Sequence, residues 1–463
     1  MDHYRLGLLG YGTVGQGVVE LLARTQDECA ARAGRPLAVT RIAVGDPTRP
    51  RSLPDGCAPR IDGDPLALCH DPDIDLVVEL VGGVERPREW IRAALEAGKD
   101  VVTANKAVLA THGEELFTVA REHGKLLLFE ASVAAAIPIL QVLQQGLPAG
   151  PIDRLTGILN GTSNRILGRL EQGMSFADAL AEAQADGFAE SDPTLDLSGW
   201  DAGHKLALLT RLVVGTSVSL DQIRVEGIER IEPIDLAFGE RHHWKLKSLA
   251  ELRRTEGGVS LGVGPAWIDA ESELATVHDE YNAVLLESET FGTLVLQGKG
   301  AGGLPTAGSV VADILRAARG EGSTPAVAGE PVEICDPGLD SARHYVRFRA
   351  KDRPGVLARI AGALAEEDVS IASVEQPEAT DPDRVPVHLV THPVPTITLD
   401  AALSRLGPNG ILSEEPLRIR IADTNVLRVK GPTPCPALSN ATASGSRSPR
   451  RPRSSPWKRD RPR

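Results

Sequence analysis

Tyr4-Arg5-Leu6-Gly7-Leu8-Leu9-Gly10-Tyr11-Gly12-Thr13-Val14-Gly15 decides the fold. Residues 4–10 are a short apolar run ending in glycine, and the segment behind them spaces Val14, Val18, Leu21 and Leu22 as one face of a helix. Strand, glycine turn and helix make the opening unit of a parallel α/β layer. The turn itself is G-x-G-x-x-G. Its first glycine permits the tight bend, its second lets a pyrophosphate approach the backbone, and its third lets helix and strand pack closely, with the helix N-terminal amides facing the phosphates. Gly10, Tyr11, Gly12, Thr13, Val14 and Gly15 are therefore expected to bind a dinucleotide. A glycine-rich turn without a ligand is the plainer reading, and the position of the turn between a strand and a helix argues against it.

Further apolar runs at 39–44, 74–81, 100–103 and 125–129 alternate with helical stretches such as 87–97 and 107–123. Right-handed crossovers then give a doubly wound, Rossmann-type parallel sheet over residues 1–130. From 131 to 320 the pattern becomes α+β, as expected of a catalytic and dimerisation domain. It predicts an Ala-rich helix over 131–146, a strand at 152–159, helices near 162–171, 175–186 and 198–214, and strands near 223–229, 259–264, 273–277 and 283–287. A helix at 305–319 is placed to pack back on the first domain. Gly/Pro-rich residues 321–343 have linker composition. Residues 344–423 run strand, helix, strand, strand, helix, strand, a βαββαβ (ferredoxin-like) unit. Residues 431–463 lack apolar periodicity and are expected to be a disordered basic tail.

The 463 residues carry a net charge of −13, yet the tail 431–463 holds eight Arg or Lys against one Asp, so the body is more acidic still. An acidic body does not suit nucleic acid. No stretch is long and apolar enough for a membrane span, and nothing at the N-terminus reads as a signal peptide, which favours the cytoplasm. Cys29, Cys57, Cys69, Cys335 and Cys435 are scattered without metal-ligand spacing, and free thiols are expected.

Two clusters carry chemistry. Thr103-Ala104-Asn105-Lys106 ends a strand of the first domain, where open α/β sheets border their ligand crevice; a solvated surface lysine is the alternative for Lys106. In the segment from Gly187 to Lys205, Glu190, Asp192 and Asp196 lead into a helix on which Asp201 and Lys205 stand four residues apart, on one face. Carboxylates there can hold a substrate ammonium and a lysine can move a proton. Against this, Ser198-x-x-Asp201 matches a capping box, and Asp before Lys at that spacing is the ordinary surface pair. His204 is given no role.

GYGTVG (10–15), VTANKA (102–107), FEASVAAAIPI (129–139), GILNGTSNRIL (157–167), GFAESDPTLDLSGWDAGHKLALL (187–209) and GKGAGGLPTAG (298–308) together resemble homoserine dehydrogenases over about 1–320. The resemblance implies reversible NAD- or NADP-dependent interconversion of L-homoserine and L-aspartate 4-semialdehyde, on the route to threonine, methionine and isoleucine. It implies Lys205 as catalytic lysine, Asp201 orienting it, and Lys106 as a second lysine at the reacting carbon. It also implies Glu190, Asp196 and Asp201 as substrate-binding acids, and Thr103, Lys106, Gly187 and Gly302 beside the cofactor. A monovalent cation, usually sodium, would be held at Glu130, Val133, Ala135 and Ile137, although 134–136 here is Ala-Ala-Ala where the family has more glycine.

Residues 344–423, with Asp352-Arg353-Pro354-Gly355-Val356-Leu357, resemble an ACT domain. That implies an amino-acid effector, L-threonine, whose inhibition should vanish in an active chain truncated near residue 330; a ligand-free dimerisation module is the alternative. A homodimer or homotetramer is expected. For the cofactor, many family members carry arginine where this chain has Gly45. Asp46 would repel a 2′-phosphate, while Arg49 and Arg51 follow within reach, so use of both cofactors with a modest preference for NAD is expected. The rivals are a catalytically silent amino-acid sensor and a different amino-acid dehydrogenase sharing the nucleotide turn.

Overall fold

The computed structural model describes residues 3–147, 150–322, 324, 332–378, 381–406 and 411–422. β1 (Tyr4–Leu9), whose residues are almost all buried, takes the centre of a six-stranded sheet. With β2 (Leu37–Ala43), β3 (Arg60–Asp62), β4 (Leu76–Glu79), β5 (Asp100–Thr103) and β6 (Leu127–Leu128) it pairs in the order β3-β2-β1-β4-β5-β6, every pair parallel. Helices α1 (Thr13–Arg24), α2 (Gln26–Ala33), α3 (Pro65–Cys69), α4 (Glu85–Glu96) and α5 (Lys106–Glu122) make the connections. The order reverses between β1 and β4, the switch point where such sheets open their ligand crevice. β3 escapes a sequence reading because three residues carry no period.

The second layer begins with a departure. No single helix spans 131–146: a 3₁₀ turn at Glu130–Ser132 gives way to a loop with Ala135 at φ +40°, then α6 (Ile139–Gln141) and a π-helical turn at Val142–Gly146. Pro138 lacks an N–H and pushes its predecessor away from helical geometry, and this overrides the propensity of the alanines. Then follow β7 (Arg154–Ile158), α7 (Gly161–Glu171), α8 (Phe176–Ala185), α9 (Thr194–Leu197), α10 (Trp200–Val214), β8 (Arg224–Val225), α11 (Pro233–Arg241), β9 (Trp244–Arg254), β10 (Val259–Asp269), β11 (Tyr281–Ser288), β12 (Gly292–Lys299) and α12 (Gly303–Ala318). The expected strand at 223–229 shrinks to the two residues of β8. The expected strand at 273–277 is a 3₁₀ turn, with neighbouring Leu274 and Ala275 both turned inward. β9, one arm of an eleven-residue antiparallel pairing with β10, goes unread in the sequence. It is covered on both faces and buries Lys247 and Ser248, so neither alternation nor an apolar run marks it.

α12 does return to the first layer. A Cβ on Gly17 would stand 3.1 Å from Ala307 Cβ, so glycine lets α1 and α12 touch, and they share a core with Leu6, Leu8, Val18, Val310 and Ile314.

The C-terminal unit comprises β13 (Ile334–Cys335), β14 (Ser341–Ala350), α13 (Val356–Glu366), β15 (Ile371–Glu375), β16 (Val385–Thr391), β17 (Val394–Pro395), α14 (Thr396–Arg405) and β18 (Leu417–Ile421). Its main strands lie in the order β18-β14-β16-β15, and β18 also pairs with β10, at Ala266–Arg420 and Trp267–Ile421. One hydrophobic core therefore takes Ala189 and Leu197 from the approach to α10, Leu236 and Phe238 from α11, Trp267 from β10, and Tyr345, Val390 and Ile419 from the C-terminal strands. Within the same seam the fully buried Asp235 accepts from Tyr345 Oη at 2.6 Å and from Arg347 at 2.5 Å. Cys29, Cys57, Cys69 and Cys335 are free thiols. Among the described residues no helix is long and apolar enough to cross a membrane. The basic tail 431–463 lies outside the described residues.

Candidate active site

Behind β1, Gly10 takes φ +97°, a conformation that a side chain resists. A Cβ on Gly15 would stand 2.6 Å from Gly10 O, so a side chain there forces the turn open. A Cβ on Gly12 would meet no atom within 4 Å: the middle of the turn faces open space, as a backbone cradle for a pyrophosphate requires. Tyr11 Oη donates to Ser52 O at 2.9 Å, and a Cβ on Gly303 would stand 2.9 Å from Thr13 Cγ2. Gly302, the N-cap residue of α12, thus lies beside the nucleotide turn. Gly187 ends α8 at φ +77° in an exposed loop.

At the end of β5, Thr103 Oγ1 donates to Glu79 Oε2 at 2.7 Å and accepts from Asn105 N at 3.0 Å, so its hydroxyl proton is already committed. Glu79, fully buried at the end of β4, also accepts from Val81 N at 2.7 Å. Burial raises its carboxyl above the usual range, against the bonds from Thr103 and Val81 that lower it. Glu79 was not singled out above, although a carboxylate inside the run IDLVVELV is a visible anomaly. Asn105 caps α5 and donates to Gly83 O, and so fixes where Lys106 begins.

Lys106 leaves the start of α5 and meets α10. Its Nζ stands 2.9 Å from Asp201 Oδ1, and Lys205 Nζ stands 2.7 Å from Asp201 Oδ2 and 2.6 Å from Leu159 O. Asp201 and Lys205 are 4% and 8% exposed, so theirs is no surface pair. Nor is Asp201 in a capping box: α10 is capped by Gly199 at φ +86°, with no side-chain cap bond. Burial works to raise the Asp201 carboxyl, but the ammoniums of Lys205 and Lys106 outweigh it and hold the group well below the carboxylate range. Burial pulls Lys205 down from 10.5, with Asp201 opposing and Lys106 assisting. For Lys106 burial also pulls downward, but Asp201 prevails and the ammonium is reinforced.

Asp196 lies in the same cluster. Asn160 Nδ2 donates to it at 2.7 Å and to Asp201 at 2.8 Å. Burial, then the neighbouring Asp201, raise the Asp196 carboxyl. Glu190 is exposed and acts on Lys106 only through its charge. Asp192 Oδ1 is spent on Thr194 N, 3.1 Å away. His204 has a buried Nδ1 without a partner.

Glu130, Val133, Ala135 and Ile137 are all buried in the loop that replaces the expected helix. Glu130 Oε1 and Oε2 accept from Leu140 N at 2.7 Å and Gln141 N at 2.9 Å, and Ser309 Oγ donates to Ala135 O. Burial, then Asp313, push the Glu130 carboxyl up to about 7. Among the described residues no group of three or more His, Cys, Asp or Glu side chains is placed for a metal ion. After β2, Arg51 donates to Arg49 O at 2.7 Å and to Asp46 O at 2.8 Å, while Asp46 Oδ1 accepts from Thr48 N and Oγ1.

Family models agree with this geometry along most of the chain. Residues 10–130 match "Homoserine dehydrogenase, NAD binding domain", residues 138–315 match "Homoserine dehydrogenase" and residues 344–407 match "ACT domain". Homoserine dehydrogenase of Pseudomonas aeruginosa is 40% identical over 438 residues, 92% of this chain and all of that protein. That of Corynebacterium glutamicum is 40% identical over 86% of this chain and 90% of its own length. A crystal structure of a homoserine dehydrogenase from Thiobacillus denitrificans superposes with a TM-score of 0.85 at 36% identity, covering 91% of this chain and 99% of that one.

Proposed function

The chain belongs to the homoserine dehydrogenase family, NAD(P)-dependent oxidoreductases of amino-acid biosynthesis, and from that premise we propose which of its residues carry the interconversion of L-homoserine and L-aspartate 4-semialdehyde. The nicotinamide, when bound, exchanges a hydride with C4 of the substrate. Backbone amides of residues 10–15 hold its pyrophosphate, a reading supported by the open space over Gly12. Thr103, through its backbone, with Lys106, Gly187 and Gly302, borders the cofactor.

Lys205 moves the proton at the C4 oxygen, giving it in reduction and taking it in oxidation. Bonds to Asp201 and Leu159 O fix its Nζ, and burial brings its proton nearer to working pH. Asp201 orients Lys205 and balances its charge, while Lys106 adds a second cation beside the oxygen that becomes negative. Asp196 and Glu190 receive the substrate ammonium. The observation that carries this assignment is one buried carboxylate shared, oxygen by oxygen, between the lysine that begins α5 and a lysine in the second turn of α10. A silent sensor has no need of that cluster.

Glu130, Val133, Ala135 and Ile137 would hold a monovalent cation, sodium by the family's habit, through hard oxygen donors alone. Support comes from the left-handed turn at Ala135 and from the buried Glu130 carboxyl, which burial and Asp313 raise to about 7 and which a cation would hold ionised. Such a cation would balance that charge and stiffen the loop. We read the C-terminal unit as a threonine-responsive regulator, the chain as a homodimer or homotetramer, and its compartment as the cytoplasm. Incubation with L-homoserine and NAD⁺ or NADP⁺, followed by absorbance of the reduced nicotinamide, tests the reaction; no reduced nicotinamide with either cofactor overturns it.

A further inference from the structure

Asn160 stands between β7 and α7, 6% exposed, and its side chain makes three hydrogen bonds. Oδ1 accepts from Ser163 N at 2.8 Å and so caps α7. Nδ2 donates to Asp196 Oδ1 and to Asp201 Oδ2. The cap decides which way the amide faces. A flipped amide would set its oxygen against two carboxylates and its NH₂ against an N–H, losing all three bonds.

One amide thus bridges a buried carboxylate, Asp201, and a half-buried one, Asp196, with different neighbours. Asp201 is already held by both lysines and needs Asn160 least. Asp196 has no ammonium within ion-pair distance among the described residues, so the Asn160 amide is its chief anchor. The start of α7 secures the backbone on either side as well: Thr162 Oγ1 donates to Phe188 O at 2.9 Å and Ser163 Oγ to Asp196 O at 3.0 Å. Without the amide, two carboxylates facing each other in a poorly solvated site repel, and the one not tied to lysine moves or takes up a proton.

We infer that Asn160 is a positioning residue: it fixes the free carboxylate of Asp196 against Asp201 and thereby sets the affinity for the substrate ammonium, while Asp201, which keeps both lysines, still orients Lys205. The inference rests on the reading above in which Asp196 receives that ammonium.

Asn160→Asp and Asn160→Ser test it, because Asp and Ser cap a helix as well as Asn does but neither offers the two donors. In Asn160→Asp the KM for L-homoserine should rise about tenfold or more, the scale of a lost hydrogen bond to a charged group, while kcat changes by less than about threefold. The KM for the nucleotide should not move. The acid limb of kcat/KM should shift to higher pH, since Asn160 normally lowers the Asp196 carboxyl that burial and Asp201 raise. Asn160→Ser, which adds no third carboxylate, should show the same KM split in milder form and serves if Asn160→Asp fails to fold. Asp196→Asn separates the two levels of the argument. If it leaves the KM for L-homoserine unchanged, the ammonium site is misassigned and the inference falls with it. If it raises KM while both Asn160 variants keep normal KM and an unmoved acid limb, the role of Asn160 alone is overturned. A fall in kcat at constant KM in the Asn160 variants overturns it as well.

Discussion

Replacing Lys205 by alanine removes the ammonium that the cluster encloses most completely. Its Nζ has two partners, Asp201 Oδ2 and Leu159 O, and both belong to the frame that aims it. If Lys205 moves the proton, its loss should lower kcat by about 10²–10⁴-fold, the range for a general acid or base, which is about 3–5 kcal/mol of barrier. Folding should survive. Asp201 keeps Lys106 at 2.9 Å and Asn160 at 2.8 Å, so its charge is not orphaned. The cost in stability should therefore stay below the roughly 3–5 kcal/mol of an uncompensated buried charge. Nucleotide affinity should hold, because the turn at 10–15 shares no hydrogen bond with α10. Steady-state kcat, nucleotide titration by fluorescence and a thermal melt on the same preparation give the three readings. Lys205→Met, which fills the volume without the proton, should be as slow as Lys205→Ala. A kcat within about threefold of the parent in either variant, or recovery by Met, would refute the assignment.

Three other outcomes follow from the geometry. Gly12→Ala should leave the melting temperature unchanged, because its Cβ meets nothing, yet raise the nucleotide KM by about tenfold or more by occupying the space of the pyrophosphate; Gly15→Ala, 2.6 Å from Gly10 O, should also lower stability by about 1–3 kcal/mol. A melt of Gly12→Ala that drops as far as that of Gly15→Ala would contradict this. His388 is buried and neutral, pushed down from 6.5 to about 4 by burial and then by Arg241. Its folded value lies below its unfolded one, so its contribution to stability is present above about pH 6.5 and is lost as pH falls toward 4. His388→Asn should therefore lose less stability between pH 7 and pH 5 than the parent, and identical slopes would sink the argument. For the cofactor, Gly45 offers no phosphate partner and the Arg51 guanidinium is tied to Arg49 O and Asp46 O. Both nucleotides should serve, with a modest preference for NAD⁺ in kcat/KM; a tenfold preference for NADP⁺, about 1.4 kcal/mol, would mean that an arginine of this loop captures the 2′-phosphate.

What could be read in the sequence was whatever local sterics impose. Glycines at 10 and 15 announce a turn because few other residues tolerate it, Gly12 leaves room above it, and Asp201 and Lys205 share a face because a helix has one pitch. Their burial is not local. Lys106 reaches Asp201 across 95 positions of chain, a meeting made by the packing of α5 against α10. Asn160 stood in plain view in GILNGTSN, and an Asn directly before a helix is a capping signal, but its second and third hydrogen bonds are tertiary and have no sequence period. The alanines at 134–136 misled because helix propensity is a weak prior. Pro138, the Glu130 carboxylate on Leu140 N and Gln141 N, and the Ser309 hydroxyl on Ala135 O together outvote it.

The single core that joins α11 and β10 to the C-terminal strands changes what a deletion can mean. Cutting the chain near residue 330 would not detach a module along a seam. It would lift β18 from β10, bare Trp267, Leu236 and Phe238 to water, and strand the fully buried Asp235 without Arg347 and Tyr345. An unpaired buried carboxylate alone costs roughly 3–5 kcal/mol, a large share of a protein's net stability. A shortened chain that lost threonine sensitivity together with activity would be reporting an excavated interior, and the proposed threonine response is better tested by single substitutions on the exposed side of the Asp352–Gly355 turn, which leave that interior closed.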